Sequence, residues 1–158
     1  MNRSIKTACC AVVAALAFST ANAADDPKVA AEIMALARAQ WAAEIQGKSV
    51  AEQGAAIADD YTEFNQDFPV RIDGKELSDR LYEAQTRGGG KALAADMLNP
   101  KVQVYGDVAI LTYNYAGVNQ DKDGKTDTST AKSTRVYAKM GGQWKLVHAN
   151  FAPVMGPN

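Results

Sequence analysis

The sequence predicts an α+β fold in which N-terminal helices cover a curved, mostly antiparallel sheet. Three observations predict it. Alternating apolar runs fill the last third of the chain, from Leu98-Asn99-Pro100 to Val147-His148. Turns bearing glycine separate these runs, which is the strongest short-range hairpin signal in a sequence. Helical spacing is confined to the first half, so helices precede hairpins instead of alternating with strands, and a parallel α/β sheet is excluded.

The first 23 of the 158 residues read as a secretory signal peptide. Arg3 and Lys6 form a positive start, Ala8 to Phe18 a short apolar stretch, and Ala21-Asn22-Ala23 a small-x-small cleavage site. The apolar stretch is too short to span a bilayer. A periplasmic or secreted protein is therefore expected. Cys9 and Cys10, the two cysteines of the chain, leave with this segment, so neither disulfides nor thiol chemistry is expected afterwards. Removing Arg3 and Lys6 from 17 basic residues leaves 15 against 18 acidic ones, a net charge of −3. No basic cluster points to nucleic acid or to an anionic membrane as a partner. Residues 24–158 suffice for one domain with a proper core.

Asp26 and Pro27 open the first helix as cap and first-turn residue. Val29, Ile33, Leu36, Trp41 and Ile45 define its buried face, and Gly47 ends it. Ser49 and Glu52 form a capping box for a second helix from Val50 to about Asp60. Tyr61-Thr62-Glu63-Phe64 alternates and begins a strand that resumes at Pro69 to Ile72. Lys75 to Arg87 is a third helix with Leu77, Leu81 and Ala84 inward, and Gly88-Gly89-Gly90 a hinge. Turns at Gly106-Asp107, Asp121 to Gly124 and Gly141-Gly142 then divide four strands. Helices laid on the concave face of that sheet would enclose a cone-shaped cavity.

Few side chains carry obvious chemistry. His148 is the only histidine, and without cysteines only carboxylates remain as further ligands, so a structural zinc site is not expected. Alternation sets it opposite Val147 and Ala149, on the outer face of the sheet, where it suits a subunit interface. Asn119, Asp121, Asp123 and Gly124 imitate the start of a calcium loop, but the twelfth position is Thr130, not a bidentate carboxylate. A polar hairpin turn accounts for them, and neither metal nor cofactor is expected. Ser133, Arg135 and Tyr137 share one face of their strand. Alternation alone leaves open whether Arg135 enters the cavity as a fork for carboxylate or faces solvent. Tyr113 and Tyr115 share a face, and Trp41 and Tyr61 could close the cavity from the helical side; core packing is the favoured account of each aromatic, because aromatic burial needs no ligand.

Leu98-Asn99-Pro100, Gly106-Asp107, Thr134 to Tyr137 and Gly142 to His148 resemble the association (hub) domain of calcium/calmodulin-dependent protein kinase II. That domain belongs to the nuclear-transport-factor-2-like and SnoaL-like superfamily, so the resemblance implies a cone of three helices on a curved sheet. No kinase motif accompanies it. The resemblance implies assembly with itself, as a homodimer through the outer sheet face or a larger ring. It also places Arg135 inward, in a pocket that in the hub family holds small carboxylates with two further arginines and a histidine. Those two arginine positions fall on Tyr115 and Phe151, and the histidine position falls on Ser78. Such a pocket should hold anions less strongly, and apolar or aromatic groups better. The expected function is a non-catalytic association and ligand-binding module. The rival is an enzyme of the ketosteroid isomerase, dehydratase or hydrolase kind, with Asp96 as its carboxylate base.

Overall fold

A computed structural model describes residues 26–154. The segment read as a signal peptide lies outside them. Helix α1 runs Pro27–Ile45, and the Asp26 carboxylate accepts from the backbone N–H groups of Lys28 and Val29. Its buried stripe is Ile33, Ala37 and Trp41, one residue per turn, while Ile45 at the open end is exposed. The predicted inner face thus loses Ile45 and gains Ala37.

The second helix is shorter than expected. The capping box of Ser49 and Glu52 forms, but α2 spans only Val50–Gln53. Strand β1 then begins at Ile57, not at Tyr61, and runs to Asn65. Gly54 ends the helix, and Leu146 donates its N–H to the Ala56 carbonyl, so pairing with the distant last strand overrides local helix preference. Strand β2 is the short Ile72–Asp73, and helix α3 runs Lys75–Arg87. Four long strands follow: β3 (Lys91–Tyr105), β4 (Val108–Gln120), β5 (Thr126–Met140) and β6 (Gln143–Pro153).

The six strands form one sheet in the order β2-β1-β6-β5-β4-β3. Every neighbouring pair is antiparallel except β1 with β6, which run parallel. The mixed, curved sheet with helices on one face is the predicted α+β cone. Strand β3 starts nine residues before Pro100. A bulge between Leu98 and Lys101 absorbs Asn99, at φ 49°, and the proline, which cannot donate to a ladder and is tolerated on this edge strand.

Register aligns one inward row across the whole sheet. Val102 pairs with Leu111, Leu111 with Arg135, Arg135 with Ala149, Ala149 with Glu63, and Glu63 with Ile72. A second bulge, between Val136 and Tyr137 opposite β6, sets Val147 aside and pairs His148 with Val136. His148 is consequently on the outer face, where its Nδ1 lies 2.8 Å from Thr62 Oγ1 and its ring meets Phe64 edge-on.

Candidate functional site

Two rows of β-residues make the floor of a cavity between sheet and helices. The row just described supplies Arg135, Ala149 and Glu63; the next links Tyr113, Ser133, Phe151 and Asn65. The cavity measures about 350 Å³. Trp41 and Glu44 of α1 and Ser78 and Tyr82 of α3 wall it from above.

Arg135 is only 3% exposed. Its Nε donates to Tyr113 Oη at 2.9 Å and its Nη1 to Gln40 Oε1 at 2.7 Å. The guanidinium carbon lies 5.7 Å from the Trp41 ring centre and 5.6 Å from that of Phe151, so two aromatic faces flank the charge. Burial alone would lower its pKa, but the oxygens of Tyr113 and Tyr137 outweigh that and raise it. The cation therefore persists at any physiological pH. Among the described residues no carboxylate pairs with it.

Two strands away stands a group that the pattern of charges did not single out. Glu63 is 1% exposed. Its Oε2 accepts the Tyr61 hydroxyl at 2.7 Å; its Oε1 accepts the Tyr82 hydroxyl at 2.8 Å and the Asn65 amide at 3.0 Å. Burial, and then the Glu63 charge, hold both phenols well above the ordinary tyrosine range. The signal for Glu63 was present: alternation through Tyr61-Thr62-Glu63 puts the acid on the same face as an aromatic expected to line the cavity. Glu44 completes the acidic side, and desolvation raises its pKa more than Arg135 lowers it.

Of the residues singled out by sequence, Arg135, Tyr115, Tyr61, Trp41, Ser78 and Phe151 line this cavity. Tyr113 lies behind Arg135 as its hydrogen-bond partner. Trp41 meets Tyr113 and Tyr115 edge-on at 5.6 and 5.5 Å. The Tyr115 ring lies along its own strand over Gly117, where an added Cβ would sit 2.3 Å from the phenol oxygen, so only glycine permits that pose.

Two expectations need correction. Asp96 does not reach the cavity: it is exposed, and its carboxylate accepts from the Met97 N–H while Met97 points inward. The acid that does reach it is Glu63. Helix α3 is also turned relative to its apolar stripe. Leu77 and Ala84 are exposed, Leu81 is half-buried, and Ser78 and Tyr82 face the sheet. A polar cavity lies beneath this helix, so its inner face is polar. At the far end of the sheet the Asp121 carboxylate accepts from the N–H groups of Asp123 and Lys125, as a turn residue does.

The sequence pattern of the calcium/calmodulin-dependent protein kinase II association domain matches residues 29–154. The chain belongs to that family. Among solved structures it is similar to a Xanthomonas campestris protein provisionally assigned to the same family, at 21% identity and TM-score 0.68, covering 78% of this chain and 86% of that one. A nuclear-transport-factor-2-like superfamily protein from Salmonella enterica superposes at TM-score 0.70 with 16% identity, over 84% and 95% of the two chains. A Parabacteroides distasonis protein provisionally assigned as a ketosteroid isomerase follows at 0.63 and 23%, over 77% and 85%. No curated protein sequence matches. These likenesses fix the fold; the site must be read from its own residues.

Proposed function

We propose that this association-domain protein is a self-associating, exported module that holds a small carboxylate at Arg135. One observation carries the ligand reading: a guanidinium buried in a cavity wall, gripped by neutral partners only, with N–H donors left over. Arg has five donors in a fork shaped for carboxylate, and Tyr113, Gln40 and the Tyr137 hydroxyl engage at most three. An unpaired buried charge is costly, and an anionic ligand relieves that cost. The aromatic walls of Trp41, Tyr115 and Phe151 favour an organic acid over an inorganic anion. Family membership supports self-association, and the residue pattern of positions 1–23 supports export.

Calorimetric titration with small organic acids tests the first part. Binding should weaken at least tenfold in Arg135→Gln, since a charge-assisted hydrogen bond contributes about 1.5–3 kcal/mol; equal binding by the variant removes the reading. Native mass measurement tests the second, and a strict monomer removes it.

Glu63 favours a second reading, proton transfer on a bound acid, because a carboxylate lining a cavity can serve as a general base. Three donors already occupy its oxygens, which weakens it as a base. Exchange of a bound ligand's α-proton with deuterated solvent would establish this chemistry.

A further inference from the structure

Arg135 and Glu63 are opposite charges in the same inward row, on strands β5 and β1, with only β6 between them. The intervening residue is Ala149, fully buried and bearing a single methyl group. We infer that the cavity is built for a zwitterion, an α-amino acid whose carboxylate faces Arg135 and whose ammonium faces Glu63. This rests on the carboxylate reading of Arg135 above.

The geometry sets the size of the ligand. Two strand spacings separate the Cα atoms by about 10 Å. Strand side chains stand roughly perpendicular to the sheet, and both residues line the same cavity. For side chains standing parallel, two hydrogen bonds of about 2.8 Å would leave about 4 Å for the ligand's own span from carboxylate to amine. An α-amino acid fits that span, whereas an extended ω-amino acid of five or six carbons exceeds it. A larger side chain at position 149 would fill the gap.

The charges set its chemistry. Glu63 has three hydrogen-bond donors, all neutral, and among the described residues no cation pairs with it. A carboxylate offers about four lone-pair positions, which leaves one for an ammonium. A plain monocarboxylate would satisfy Arg135 and leave Glu63 against an apolar group. A dicarboxylate would bring a like charge to Glu63, which is repulsive. The ligand's side chain then lies against Trp41, Tyr115 and Phe151, so apolar and aromatic amino acids suit it best.

Matched ligands test this on the intact wild-type protein by calorimetry at pH 7. L-leucine is compared with 4-methylpentanoate, L-phenylalanine with 3-phenylpropanoate, and benzylsuccinate serves as the dicarboxylate. Each amino acid should bind about tenfold tighter than its deaminated partner, the scale of one charge-assisted hydrogen bond, and the dicarboxylate weakest of all. Glu63→Gln should erase the preference while 3-phenylpropanoate still binds; if that variant does not fold, the wild-type series decides alone. Deaminated acids binding as well as or better than the amino acids, with Arg135→Gln abolishing them, would overturn the zwitterion and leave the carboxylate site standing. No binding by any acid overturns both.

Discussion

Arg135 and Glu63 are buried to nearly the same degree, yet the protein holds them in opposite ways. The cation is flanked by aromatic faces and anchored through two of its donors, so part of its fork remains free for the cavity. The anion is wrapped by two phenols and an amide that have no other partner of comparable quality. Arg135 thus keeps donors free toward the cavity, whereas Glu63 organises the wall around it. Similar burial of two charges does not mean similar structural roles.

The largest break in that comparison is Glu63→Ala. It strands the hydroxyls of Tyr61 and Tyr82, and an unsatisfied buried polar group costs about 1–3 kcal/mol. A loss of about 3–5 kcal/mol is expected in urea denaturation; under 1 kcal/mol would mean that the phenols find other partners. Arg135→Met comes next. It keeps length and apolar contact with Trp41 and Phe151 and removes the buried charge, and apolar replacements of buried ions are often tolerated. A loss of about 1–2 kcal/mol is expected, with organic-acid binding abolished. A larger loss than in Glu63→Ala would reverse the roles assigned to the two residues.

Glu44 gives the smallest and most specific effect. Its carboxyl is raised in the folded protein, so folding favours its neutral form. That stabilisation is complete below the unfolded value of about 4.3 and is lost as pH rises through the folded value. Glu44→Gln should therefore match the wild type near pH 3 and become the more stable of the two as pH approaches neutrality. Thermal denaturation across that range checks it, and a gap that narrows toward neutral pH would contradict it.

Legibility divided along the same line. The hairpins were readable because each is local: Gly106 and Gly141-Gly142 adopt positive φ at the turns, and the runs between them alternate cleanly. Arg135 was readable only as a member of one strand face; its inward direction came from the family resemblance. Glu63 was missed although its strand and alternation were seen, because a lone acid beside Thr62 reads as solvated until its partners are known. Tyr61 and Asn65 are local, but the groups that bury the acid, Tyr82 on α3 and the β6 neighbour Ala149, are distant in sequence. The early start of β1 and the turned face of α3 escaped for the same reason. One depends on pairing with β6, the other on a polar hollow beneath the helix.

The parallel contact between β1 and β6 also dictates the order of assembly. Thr62 and His148 are 86 positions apart, and contacts between remote parts of a chain are slow to form because loop closure must come first. The β3–β6 meander can nucleate from neighbouring hairpins, whereas the Glu63 side joins only when the final strand exists. A chain released before β6 is synthesised would carry both charged residues but no shared floor between them, so the cavity is among the last features this protein acquires.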